Sequence, residues 1–334
     1  MTKALTLSAA LAAALTIAGT AGALDLRLSV ETPPGHVRNQ AAEHWAQAIH
    51  DLSNGDITVE VFPSGQLYNS ADAIRALASG ALDMSIQASP TLSRLEPNLS
   101  VITLPMFFGA TVDQVRAVLD GPQGQELWAM LARRGITVPT GGQFEFAANN
   151  TAYTTEPASS YDDLVGRTVA TPPSPVVVQI MSAMGINGVA TPRTEIVLQL
   201  TQGQIEGLGS VTDLTISGGR LWEAGIRYAF NDNAGWGVYI PLVSSRALDA
   251  MTDAQRQIVN DAWAQTVGWA RDEAAREREQ ARATNESHGI TYADPSDETV
   301  AAMRERMMGL QGDIVAASGM DADFVGRVQA MLTQ

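Results

Sequence analysis

The chain has 334 residues, 45% of them hydrophobic and 17% charged, with 29 Gly, 15 Pro and no Cys. This balance fits one or two globular domains and excludes a disordered or collagen-like polymer, disulfides and thiolate metal sites. Acidic residues outnumber Lys and Arg by 36 to 21, and the net charge of −15 argues against nucleic acid, whose affinity comes from neutralised phosphates.

The N-terminus reads as a signal peptide over residues 1–23. Lys3, the only lysine, supplies the positive start, residues 4–19 form an apolar run, and Ala21-Gly22-Ala23 is a small-x-small processing site. Cleavage after Ala23 leaves a mature chain without lysine, so a Schiff-base or P-loop lysine is excluded. With no anchor cysteine after the signal and no later run approaching the ~20 residues of a membrane span, the mature protein is expected to be soluble and periplasmic.

In the mature chain, Leu26 to Val30 alternate as a strand, and residues 39–52 carry Ala42, Trp45, Ala46 and Ile49 at helical spacing before Asn54-Gly55. Residues 57–62 form a second alternating strand. Asn69 caps a helix that Gly80 closes, and residues 82–86 form a third strand. Strand, helix, strand, helix, strand at this spacing predicts parallel pairing in a layered α/β unit. A second such unit follows. Residues 167–171 form a strand, Ser174 and Pro175 open a helix reaching Met184, and a further helix over 195–202 precedes Ile205 to Leu208. Residues 135–148 are expected to pass between two lobes, and a strand pair around Trp236 to Ser244 to carry the chain back. Thr252 and Gln255 have capping-box spacing for a helix of roughly 30 residues or more, dry in its first half and solvated in its second. Two helices joined at a kink remain the alternative. The expected division is 24–142 with 236–272 for lobe I, and 143–235 with 273–334 for lobe II.

No catalytic constellation emerges. His36, His44, His50 and His288 read as exposed; His44 and His50, six apart, miss the spacing that places two ligands on one helix face. Ser210 has Leu208 where a G-x-S-x-G elbow needs Gly, and Thr212 breaks the G-x-G-x-x-G begun at Gly207. Carboxylates are plentiful but unpaired. No catalytic residue, metal or cofactor is expected.

Several stretches carry a resemblance. They are residues 163–172 (DLVGRTVATP), Met184-Gly185, residues 192–196 (PRTEI), residues 200–207 (LTQGQIEG), the turn 62–68 (FPSGQLY), residues 78–84 (ASGALDM) and residues 104–108 (LPMFF). Together, in order and over nearly the whole mature chain, they resemble the solute-binding proteins of TRAP (tripartite ATP-independent periplasmic) transporters. Tyr68 stands where that family usually has Gly. The resemblance implies an α/β fold, a two-lobed periplasmic-binding-protein clamshell with a long helix spanning both lobes, which takes up one small solute and delivers it to integral-membrane TRAP transporter subunits; a monomer is expected.

The departures from the family bear on the solute. The family's habitual arginine, four residues after the Gly of the strand-opening turn, falls on Ala170; an earlier family arginine falls on Glu145. Glu31 matches a cleft-lining position, Ser210 matches a family Asn that touches ligand, Asp213 follows it, and Gln87 ends the third strand, where open α/β sheets hold ligands. Two carboxylates in a cleft would repel an anion, and Trp236, with Phe144 or Tyr239 as neighbours, can face an ammonium. The ligand-binding set expected from sequence is therefore Glu31, Gln87, Glu145, Arg193, Ser210, Asp213 and Trp236, around an amine-bearing or zwitterionic solute. The alternatives are a carboxylate held by Arg193 or, in a different class, a secreted hydrolase or isomerase.

Overall fold

The computed structural model describes residues 24–332, so the expected signal peptide, residues 1–23, lies outside the described residues. The first unit runs β1 (Leu24–Ser29), α1 (Val37–Leu52), β2 (Ile57–Phe62), α2 (Ser70–Ser79) and β3 (Met84–Ala88). Its helices start where the sequence places acceptors. The Asn69 side chain accepts from the Asp72 N–H at 2.9 Å, and α2 stops at Gly80, whose φ of 77° is left-handed and carries no Cβ penalty there. β1 pairs in parallel with both β2 and β3, as crossover helices of this length require.

Short 3-10 turns at Ser89–Arg94, Pro97–Thr103 and Pro105–Phe107 carry the chain toward the second unit, where the Ser93 hydroxyl donates to that of Ser174 at 2.9 Å. Then come α3 (Val112–Leu119), α4 (Pro122–Ala132), β4 (Ile136–Thr137) and β5 (Phe144–Thr154). The second unit holds β6 (Thr168–Thr171), α5 (Pro175–Ala183), β7 (Asn187–Ala190), α6 (Ile196–Thr201), β8 (Gly207–Val211), α7 (Asp213–Gly219) and β9 (Tyr228–Phe230). β10 (Gly235–Ser244), α8 (Ser245–Asp249), α9 (Asp253–Ser287), β11 (Thr291–Ala293), α10 (Asp297–Ala317) and α11 (Ala322–Leu332) complete the described chain.

The strand order is β2-β1-β3-β10-β5-β8-β6-β7. β5 joins its two halves: its N-terminal part runs antiparallel to β10, its C-terminal part antiparallel to β8 and β9. The two-lobed α/β architecture follows from this one strand. Where the sequence suggests a strand pair around Trp236, there is a single strand, β10. All ten of its residues are buried, and it bonds to β3 on one side and β5 on the other, so no turn interrupts it.

The long helix is continuous. Thr252 and Gln255 satisfy each other's backbone N–H groups at 2.9 and 3.2 Å, closing the capping box of α9. Its 35 residues span about 52 Å at ~1.5 Å per residue. The first half packs on α1: Trp45 and Trp263 lie 5.0 Å apart, both without exposed surface, and the Trp45 indole donates to the Val259 carbonyl at 3.1 Å. Each ring buries roughly 200 Å², about 5 kcal/mol before entropic costs. In the second half only Ala274, Ala281 and Asn285 are buried, and Asn285 donates to Asp213 at the start of α7. Of the histidines read as exposed, His36 is buried instead, 7% exposed, because it caps α1 with its ring edge-on to Tyr239, 6.0 Å between centroids.

Candidate ligand cavity

A cavity of about 110 Å³ lies between the two halves of the sheet. It is lined by residues that follow or end parallel strands: Glu31 and Thr32 after β1, Ala88 at the end of β3, Thr171 at the end of β6, Ser210 and Val211 in β8. Carbonyl-end positions of this kind are where open α/β sheets hold ligands. Phe146 of β5 and Tyr239 of β10 add a stacked aromatic pair, 4.1 Å between ring centroids.

Two side chains give the cavity its chemistry. Glu31 is 8% exposed. One of its oxygens accepts from the Ser70 hydroxyl, whereas Oε1 is buried and has no partner among the described residues. Arg38, 3% exposed, sits in the first turn of α1. Its Nε donates to the Ile86 carbonyl at 2.6 Å and one terminal nitrogen to Gln87 Oε1 at 3.0 Å, and its guanidinium carbon lies 5.2 Å from the Tyr239 ring centroid. No carboxylate comes within 4 Å of it among the described residues. Burial lowers its pKa, partly opposed by Tyr239 and Glu31. A buried cation without a counter-ion is costly unless something supplies the charge. The neighbouring His36 accepts from the Arg38 backbone N–H through Nδ1 at 3.1 Å. Burial, followed by the Arg193 and Arg38 charges, holds its pKa well below the usual histidine range, so the ring is neutral at neutral pH.

Of the residues selected from sequence, Glu31, Arg193 and Ser210 line this cavity. Arg193 is half-buried and, among the described residues, forms no ion pair. Ser210 adopts φ 55°, a left-handed conformation uncommon for a residue with a Cβ. The other four lie outside the lining. Gln87 stands behind Arg38, its amide nitrogen donating to Ser85 Oγ at 2.7 Å. Glu145, 1% exposed, accepts from Arg116 Nε at 2.8 Å, with Arg271 Nε at 3.8 Å. Asp213 accepts from the hydroxyls of Tyr153, at 2.7 Å, and Tyr292, tying α7 to β5 and β11. Trp236 donates its indole N–H to the Ala110 carbonyl at 2.6 Å, and the guanidinium over its ring, 5.6 Å from the centroid, is that of Arg278. Sequence reasoning missed Arg38, Asn149 and Thr171, all in the lining. For Arg38 a signal existed: it is the cation nearest in sequence after Glu31.

The model of bacterial extracellular solute-binding proteins, family 7, known as DctP, matches residues 28–316. The chain belongs to this family. The DctP C4-dicarboxylate-binding periplasmic protein of Rhodobacter capsulatus is 24% identical over 328 residues, 96% of this chain and 95% of that one. Among solved structures, the sugar-acid-binding DctPAm of Advenella mimigardefordensis, in complex with galactonate, superposes with a TM-score of 0.87 at 21% identity, covering 93% of this chain and 98% of that one. A TRAP periplasmic solute-binding protein from Sulfurospirillum deleyianum with bound succinate gives 0.84 at 21% identity, covering 93% and 99%. As a DctP-family protein the chain is a solute receptor of TRAP transport and not an enzyme, which removes the hydrolase or isomerase alternative. The family is periplasmic and hands small solutes to membrane TRAP subunits. Among the described residues no helix is long and apolar enough to cross a membrane.

Proposed function

We propose that this TRAP receptor captures a small monocarboxylate, with Arg38 and Arg193 holding the acid group and Glu31 accepting a hydrogen bond from a donor elsewhere on the solute. The observation that carries this reading is the buried guanidinium of Arg38, which has no carboxylate partner among the described residues. Two guanidinium groups against one carboxylate leave the cavity with one formal positive charge. A monocarboxylate balances it; a dicarboxylate overshoots, a zwitterion leaves it, and an amine without an acid group doubles it. Ordered closure on the solute then follows from its better fit to the closed state.

The amine-bearing reading keeps one supporting observation, the unpartnered Oε1 of Glu31, which an ammonium satisfies as well as a hydroxyl does. Its second anion is Glu145, and the ion pair of Glu145 with Arg116 lies outside the cavity lining. Thermal-shift screening against matched acids, their amides and their amines distinguishes the two. A solute at about 100 times its dissociation constant adds ~2.7 kcal/mol of stability. Stabilisation by acids and not by their amides is the expected result; stabilisation by amines lacking an acid group would overturn it.

A further inference from the structure

The lining of the cavity combines a few charged groups with an apolar stretch. Glu31 and Arg38 come from the first half of the molecule, whereas the second half contributes Ala170, Pro172, Ile196, Leu208 and Val211 as a largely apolar wall with Arg193 at its edge. Ala170 stands where the family resemblance puts a carboxylate-gripping arginine, so a methyl group replaces the usual cation. An acid group turned toward that wall away from Arg193 would meet no counter-charge, and each solute hydroxyl pressed against it without a partner would weaken binding by roughly tenfold. Asn149, Thr171 and Ser210 leave a few polar points at its margin, enough to meet one or two hydroxyls. Building on the carboxylate reading above, we infer that the solute is a branched or alicyclic monocarboxylate carrying few hydroxyls, with its acid group at Arg38 and Arg193 and its hydrocarbon body against the Ala170–Leu208 wall.

The test is calorimetric titration of the whole protein with pantoate and with 2,4-dihydroxybutanoate. These carry the same acid and hydroxyl groups and differ by the two methyls of pantoate. Burial of two methyls against the wall makes pantoate about tenfold tighter or more, and D-galactonate, fully hydroxylated, weaker than pantoate. Ile196→Thr, which puts a hydroxyl into the wall, reduces the pantoate advantage over 2,4-dihydroxybutanoate to about threefold. Equal affinity within the pair, tighter binding of galactonate, or no heat from any of the three at about 10 mM would overturn the inference. The amide of pantoate separates the two levels of the argument. Tight galactonate binding refutes the hydrocarbon body and leaves the carboxylate reading intact, whereas an amide as tight as pantoate refutes the carboxylate reading and leaves the apolar wall.

Discussion

Glu145→Gln separates the amine and acid readings without knowledge of the solute. The Glu145 side chain has no exposed surface, while its partner Arg116, 2.8 Å away, is 35% exposed. Removing one partner of a fully buried pair costs roughly 3–5 kcal/mol. Arg116 can instead turn its guanidinium into water, so the loss falls toward that of one charge-assisted hydrogen bond, about 2 kcal/mol. In a chain of this size that lowers the melting temperature by about 3–6 °C. Scanning calorimetry of the ligand-free protein should show this drop, and titration with any acid that stabilises the parent should give an affinity within about twofold of it. A tenfold loss of affinity at unchanged melting temperature would show that Glu145 faces the solute, and the charge count made for the cavity would fail.

Two further perturbations follow from the same geometry. Glu277 on α9 has its pKa pushed up to about 7 by burial and by Glu273, against the Val37 N–H and Arg276, which favour its charge. The folded chain thus holds this proton more tightly than the unfolded one, whose value lies near 4.5. Stability contributed by Glu277 is fully present below that value and is lost as pH rises to about 7, after which it stays flat. Urea titrations from pH 5 to 8 should show this decline in the parent and a shallower slope in Glu277→Gln; parallel slopes would contradict the assignment. Gly237→Ala would place a Cβ 2.3 Å from Cζ of Phe146, displacing a ring that stacks on Tyr239 and lines the cavity. The expected cost is about 1–3 kcal/mol of stability with a clear loss of solute affinity by calorimetry, and unaltered affinity would mean the aromatic pair does not bear on the solute.

Much of the frame was legible because it rests on local signals. The Asn69 cap, the Gly80 stop, the capping box at Thr252 and the alternation over residues 57–62 each act within a few residues. The α9 helix reads correctly as continuous because its apolar positions never change face. The cavity is harder. Phe144, Glu145 and Phe146 are all buried, since β5 is covered on both faces, so alternation does not say on which side Glu145 lies. A register shift opposite it, between Gly237 and Val238, adds to the ambiguity. Trp236 and Asp213 carry recognition-type side chains, yet each is occupied by distant partners, Ala110 and the tyrosines at 153 and 292, that no short-range pattern reveals. Arg38 escaped notice for the opposite reason: an arginine in a first helical turn is ordinarily solvated, and only the packing of α1 against β3 and Tyr239 buries it.

A crystal structure of the occupied receptor tests the central claim most directly. The account requires an acid group on the solute within about 2.7–3.1 Å of the guanidinium nitrogens of both Arg38 and Arg193, with Glu31 Oε1 meeting a donor on the same molecule. An ammonium seated between Glu31 and the Tyr239 ring, with both arginines turned away from the solute, would contradict it.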